Sequence, residues 1–227
     1  MSRVAYLHGF LGHPTVWDGI APPEALTIAL PGHGGGPVRA TWDANLERIA
    51  EMLGACDAVV GYSLGARVAL GLVAAGVAPR AVLISVNPGI DEHERPLRRA
   101  NDAVWARMLR ERGVPAFLDA WEAQPLFATQ ANVPVDVREA RRARRLGLDR
   151  EQLARSLEVM GLAEMPDYRG VVDARCALLV GADDAKFVAI AEALPAPVEH
   201  IAGSGHDPTL EQPAALAAAI ARALARL

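Results

Sequence analysis

The 227-residue chain has two cysteines and a single lysine, Lys186. Cys56 and Cys176 each stand beside an apolar strand-like run, which excludes a disulfide framework and reads as two buried free thiols. No apolar run approaches the roughly 18 to 20 residues needed to cross a bilayer. The opening stretch MSRVAYLHGF enters a strand-like pattern at once, without the layout of a signal peptide. These absences predict a cytoplasmic protein that does not enter membranes. An excess of positive charge is also lacking. The formal net charge of −4 offers no global attraction to nucleic acid or anionic lipid, and the arginines are not interleaved with aromatic residues as in single-strand binders. No two histidines stand at H-x-x-x-H spacing, and neither cysteine has a close cysteine or histidine partner. The glycines of LPGHGGGP lack the GK[ST] ending of a phosphate loop. No metal and no organic cofactor is expected. The lone lysine among many arginines reads as genomic base composition and receives no role.

With 52% hydrophobic residues and a mean hydropathy of +0.15, the chain can bury a large core. Short Val/Leu/Ile/Ala-rich runs recur at 4–7, 26–30, 58–60, 81–86, 176–180 and 197–202. Their apolar character without strict alternation suits strands covered on both faces. Helical patterns over 42–53, 64–75, 185–194 and 214–227 lie among them. Strand–helix alternation predicts an α/β fold with a mostly parallel, doubly wound sheet of about six strands. The rhythm breaks between Asp91 and about Arg175, where helical patterns are punctuated by GVP, QP, NVP and MP. A connection that long must carry structure of its own. The reading is therefore a core of residues 1–90 and 176–227 and a helical cap of residues 91–175 over the carboxyl edge of the sheet, where open α/β folds bind ligands.

The stretch GYSLGAR places Ser63 between Gly61 and Gly65, where a buried strand pattern stops and a helix begins. Such a turn exposes a serine hydroxyl as a nucleophile elbow, beside the amide donors of the helix N-terminus. A hydroxyl needs a neighbouring base, and the base needs an orienting carboxylate. His206 in AGSGHDP follows the last strand candidate, and Asp183 and Asp184 in VGADDAKF follow the one before it. The order Ser, Asp, His is that of α/β-hydrolases. His8 in YLHGFLG would shape the turn that supplies an oxyanion amide from Phe10, the second coming from Leu64. His33 reads as a simple loop residue, and His13, His93 and His200 as surface or loop residues.

Taken in order, HGFLG, LPGHG, GYSLGAR and GSGH resemble the α/β-hydrolase superfamily over nearly the whole chain. More narrowly, GYSLGAR, the NPG at Asn87, the LRRAND region, WEAQPLF and GADDAKF resemble the 2-succinyl-6-hydroxy-2,4-cyclohexadiene-1-carboxylate synthases of menaquinone biosynthesis. That resemblance implies a triad of Ser63, Asp184 and His206, and selects Asp184 because it stands two residues before the KF pair. It implies substrate binding by Tyr62, Arg67, Arg98, Trp121 and Arg145. The implied partner is a small anionic carboxylate, and the implied chemistry is elimination of pyruvate, begun by removal of a proton next to a carbonyl. The same triad suits a carboxylesterase, which stays open as the alternative, as does a noncatalytic binding protein on the same scaffold. The oligomeric state is left open.

Arginine matches carboxylate geometry. Arg67 stands one helical turn after Ser63, where the helix dipole disfavours a cation unless an anion is nearby. Arg98 and Arg99 are expected to begin a cap helix. In VREARRARRLG, Arg138, Arg141, Arg142 and Arg145 fall on one stripe whose default reading is a solvated face, with Arg145 as the member chosen to face substrate. Trp121 and Phe127 would line the pocket or pack the cap. Three departures from the resemblance stand out. The chain starts at what corresponds to the third strand of the superfamily's usual sheet, Thr209 replaces a histidine of the synthase pattern, and Glu122 follows Trp121 in place of an aromatic. An acid at 122 facing the pocket would repel an anionic substrate.

Overall fold

A computed structural model describes residues 3–227. Residues 1 and 2, the first two of the expected core, lie outside the described residues. Six strands form one sheet: β1 (Val4–Leu7), β2 (Leu26–Ile28), β3 (Ala58–Tyr62), β4 (Ala81–Ile84), β5 (Cys176–Gly181) and β6 (Val198–Ile201). Their order is β2-β1-β3-β4-β5-β6 and every neighbouring pair is parallel. The chain leaves β1 in one direction for β2 and returns past it to β3. The order therefore reverses at the β1/β3 boundary, the place where doubly wound sheets open a crevice at their carboxyl ends.

Strict alternation is absent from the sequence because both faces of the sheet are covered. Val59, Leu83, Leu178 and Val180 enter one apolar cluster, which they share with α1 (Trp42–Leu53) and α2 (Leu64–Ala74). Their neighbours Val60, Val82, Ile84 and Leu179 point the other way, into a cluster with Trp17 and Leu216, Ala219 and Ile220 of the C-terminal helix, Pro213–Arg226. All eight strand residues are essentially inaccessible. Full burial of each Val, Leu or Ile contributes about 1.5–3 kcal/mol. Cys176 is buried in the first cluster while Cys56 is only half-buried, and both are free thiols.

Between β4 and β5 the chain runs through α3 (Arg95–Glu122), a 3₁₀ stretch (Pro125–Asn132), α4 (Val135–Leu146) and α5 (Arg150–Val159). The GVP punctuation appears as a kink inside α3, where Gly113 has φ 76° and Pro115 follows. A third apolar cluster joins Ala106, Leu109, Phe117 and Leu118 of α3 to Leu153, Ala154 and Leu157 of α5, and Leu11 from the loop after β1 enters it. The inserted helices thus have a core of their own, and Leu11 and Phe10 tie it to the sheet edge while Met160, Leu162 and Met165 join the main core. These contacts hold them beside the loops that follow β1 and β3.

Candidate active site

Ser63 is the hinge between β3 and α2. Its φ of 50° and ψ of −107° are unusual for a residue with a side chain, and its N–H is anchored 2.9 Å from the Ile84 carbonyl oxygen. The flanking glycines answer to close approach. A Cβ on Gly61 would collide with the Gly65 carbonyl, and one on Gly65 with the carbonyls of Leu7 and His8. The elbow is thus wedged against the end of β1, which lifts the serine side chain into the crevice.

His206 Nε2 lies 3.3 Å from Ser63 Oγ, and His206 Nδ1 lies 2.8 Å from Asp184 Oδ2. Asp184 caps the helix Ala185–Glu192, accepting from the Phe187 N–H at 3.2 Å. Asp183 points outward and is exposed. Both Asp184 and His206 are buried, and rings of Phe187, Tyr62 and Phe127 surround the imidazole at centroid distances of 4.4, 5.8 and 6.0 Å. Such confinement fixes the imidazole plane, so the Nδ1–H donates to Asp184 and the Nε2 lone pair faces the serine. The N–H groups of Phe10 and Leu64 donate to no backbone carbonyl among the described residues, and both residues line the cavity above Ser63. Both amides are thus left free on residues that line the cavity.

The HGFLG turn is held from inside. His8 is fully buried. Its Nδ1–H donates to the Gly9 carbonyl at 2.8 Å, and its Nε2 accepts the Leu30 N–H at 3.1 Å. Only the neutral ring satisfies both, and burial lowers its pKa to about 3. His33, expected as a plain loop residue, is instead fully buried, 5.4 Å from both the His8 and Phe10 rings. Burial pulls its pKa down to about 4. Glycine-rich surroundings disguised a packing residue.

The cavity is about 480 Å³ and opens between the sheet edge and the inserted helices. Five cationic side chains line it, Arg67, Arg98, Arg141, Arg145 and Lys186, against the carboxylates Asp102 and Asp207. Arg67 donates to the Met160 carbonyl at 2.9 Å and forms no ion pair among the described residues. Burial first and the nearby Arg98 second lower its pKa to about 9 against the opposing pull of Asp102. Arg98 is held by Asp102 at 2.8 Å, one turn along α3. It lies in the first turn of that helix, which begins at Arg95 rather than at 98. Arg99 points away to Glu164. Tyr62 lines the wall, and burial, reinforced by Asp207, raises its phenol pKa well above the usual value, so it stays an O–H donor. Trp121 does both things expected of it. It lines the cavity, and it packs on Phe117 and Phe10 at 5.3 Å each.

The arginine stripe on α4 is not the solvated face expected of it. Arg145 and Arg141 are only 11% and 12% exposed and both line the cavity, because that face of α4 turns toward Glu122 of α3 and Asp207. Arg141 reaches across to Asp207 Oδ2 at 3.3 Å and Thr209 Oγ1 at 3.5 Å. The Thr209 departure thereby joins an Arg141–Asp207–Thr209 cluster beside His206. Glu122 does not line the cavity. It lies behind the wall, paired with Arg145 at 2.9 Å and Arg142 at 2.5 Å, so its charge is spent and the feared repulsion does not arise.

Ser85, Asp102, Gln124, Phe187 and Asp207 also line the cavity without having been singled out, as do Asn87 and Arg141, which the sequence offered only as part of a motif and of a charged stripe. Asp102 had a signal, its position four residues after Arg98 on a helix. Ser85 had none, since it ends an apolar strand. Among the described residues no group of three or more His, Cys, Asp or Glu side chains is placed to hold a metal ion.

The model of the alpha/beta hydrolase family matches residues 4–219. The 2-succinyl-6-hydroxy-2,4-cyclohexadiene-1-carboxylate synthase of Klebsiella pneumoniae subsp. pneumoniae is 33% identical over 241 residues, covering 98% of this chain and 93% of that protein. The synthase of the same name from Citrobacter koseri is 32% identical, covering 97% and 93%. Among solved structures, MenH from S. aureus superposes with a TM-score of 0.91 at 28% identity, covering 99% of this chain and 93% of that one. A malate-bound thermophilic esterase from Thermogutta terrifontis has a TM-score of 0.79 at 22% identity, with 100% and 90% covered, and shares the fold. A relationship spanning both chains almost end to end, on a sheet with a serine elbow at its switch point, places this chain in the alpha/beta hydrolase family and, within it, among the 2-succinyl-6-hydroxy-2,4-cyclohexadiene-1-carboxylate synthases.

Proposed function

We propose that this protein eliminates pyruvate from a succinylated enolpyruvyl cyclohexene carboxylate, with Ser63, His206 and Asp184 as its catalytic triad and residues 91–175 as a helical cap over the site. The observation that carries the reading is Arg67, a guanidinium one turn from Ser63 with no carboxylate of its own. A half-buried cation with no carboxylate partner is costly, and an anionic substrate is the partner that offsets it.

Ser63 Oγ, relieved of its proton by His206 Nε2, removes a proton from the carbon next to a carbonyl of the substrate. The electron pair moves onto that carbonyl oxygen, where the Phe10 and Leu64 amides stabilise the enolate. Collapse of the enolate extends the ring's conjugation and breaks the carbon–oxygen bond to the enolpyruvyl group. The departing enolate takes up a proton and becomes pyruvate. Asp184 keeps the imidazole in the tautomer that can accept from serine and stabilises the imidazolium. Arg67, Arg98 and Arg145, with Tyr62 and Trp121, hold the carboxylates and the ring. The reaction is intramolecular in electrons and needs no redox partner. No described helix is long and apolar enough to cross a membrane, and the assignment to a small-molecule pathway agrees with the cytoplasmic location read from the sequence.

The test compares pyruvate release from the enolpyruvyl substrate with hydrolysis of short p-nitrophenyl esters, using Ser63→Ala to give the background of spontaneous decay. Serine-dependent pyruvate release with weak ester turnover is expected. Efficient ester hydrolysis with no pyruvate above background would identify a carboxylesterase instead.

A further inference from the structure

Three non-glycine residues among those described have positive φ: Leu11, Ser63 and Ser85. Ser85 shares the φ of 50° found at Ser63. It lies one position beyond the Tyr62–Ile84 register pair, beside the nucleophile elbow, and its N–H is fixed 2.9 Å from the Leu179 carbonyl oxygen. The side chain is 1% exposed, lines the cavity, and its Oγ has no hydrogen-bond partner among the described residues.

Serine is the costly choice here on two independent counts. Glycine would adopt the left-handed backbone without strain. Alanine would avoid burying a hydroxyl with nothing to bond. Ser156 also lines the cavity with an unpartnered hydroxyl, but it sits on α5 with ordinary helical backbone, so only the second cost applies to it. Ser85 bears both. A group that pays twice for its place in the folded protein is explained by a ligand that uses it. The five cations around the cavity say which kind of ligand, and a hydroxyl donating to an anionic oxygen makes a charge-assisted bond.

We propose that Ser85 is a substrate-contacting, specificity-determining residue at the floor of the cavity, its hydroxyl donating to a carboxylate oxygen of the bound acid. The proposal rests on the reading of the substrate as a cyclic polycarboxylic acid. The contact belongs to the bound substrate as well as to the transition state, so its loss raises KM more than it lowers kcat.

The experiment uses Ser85→Ala and Ser85→Gly in two assays. In urea denaturation without ligand, both variants are expected to be at least as stable as the parent, since neither removes a bond that the folded chain makes. In the pyruvate-release assay, kcat/KM for Ser85→Ala is expected to fall roughly ten- to a hundredfold, carried by KM, while turnover of p-nitrophenyl acetate changes little. A Ser85→Ala protein that loses stability, or one that keeps its kcat/KM, overturns the proposal. Parent protein that releases no pyruvate above the Ser63→Ala background refutes the proposed reaction separately. Ser85 is then judged by calorimetric binding of cis-cyclohexane-1,2-dicarboxylate. Tenfold weaker binding to Ser85→Ala than to the parent supports the contact, and equal affinity, or no binding to the parent, overturns it.

Discussion

Gly65 packs its α-carbon against the carbonyl oxygen of Leu7, so the first turn of α2 rests directly on the end of β1. This contact joins the two sides of the switch point and sets the height of Ser63 above the sheet. It also explains why the second glycine of GYSLG is needed for packing and not for its dihedral angles, since its φ is not positive.

Gly65→Ala should therefore destabilise the fold by about 3 kcal/mol or more, because backbone and not a side chain must move. Gly71→Ala on the same helix makes the control. Its new methyl would meet only Leu46 side-chain atoms at 3.2 and 3.3 Å and the Tyr168 hydroxyl at 3.3 Å, and alanine favours helix by about 1 kcal/mol over glycine. Urea denaturation of the pair should separate them clearly.

The 2.8 Å bond from His206 to Asp184 predicts that Asp184→Asn leaves the fold intact while lowering kcat roughly a hundred- to ten-thousandfold, because an amide can hold the wrong tautomer. Equal kcat in parent and variant, with unchanged circular dichroism, would mean that the imidazole is positioned by its aromatic neighbours alone.

Arg67→Ala should lower kcat/KM for the anionic substrate roughly a hundredfold, by loss of a charge-assisted contact. A neutral p-nitrophenyl ester should be affected less than about threefold, since no anion is there to be held. Arg67→Lys should recover only part of the loss, because the ammonium cannot keep the Met160 carbonyl and a substrate carboxylate in one plane. Parallel losses on both substrates would assign Arg67 to structure.

His8 and His33 predict a pH dependence of stability. Both fold with pKa values lowered from 6.5, to about 3 and about 4. The unfolded chain therefore binds more protons than the folded one below about pH 6.5, and stability is lost as the pH falls through that window. Between pH 7 and pH 5 the pair should cost roughly 2 to 4 kcal/mol in urea denaturation. His33→Gln should remove about half of that slope, whereas an unchanged slope would place the acid sensitivity elsewhere.

Much of this was readable in one dimension. The six apolar runs and their intervening helices defined the parallel sheet because a strand buried on both faces is apolar throughout, and Ser63, Asp184 and His206 stood out because each follows a strand in a turn. The failures share a physical cause. The stripe of arginines on α4 looked solvated because charge on a helix is indistinguishable from surface until the helix has a neighbour. Glu122 looked hostile to an anion because the sequence could not show Arg142 and Arg145 closing on it from twenty or more residues away. His33 looked like a loop residue because burial is a property of what packs around a turn.

What the sequence by itself determined is the order of elements, the elbow and the chemistry its side chains can perform, since these follow from local periodicity, glycine spacing and residue type. What only the tertiary structure decided is which charges face one another. The pairing of Arg141 with Asp207, of Glu122 with two arginines, and of Arg67 with no carboxylate at all depends on how the helices between β4 and β5 pack on one another and on the sheet. Electrostatic partnership is set by distances across the fold that local sequence does not encode.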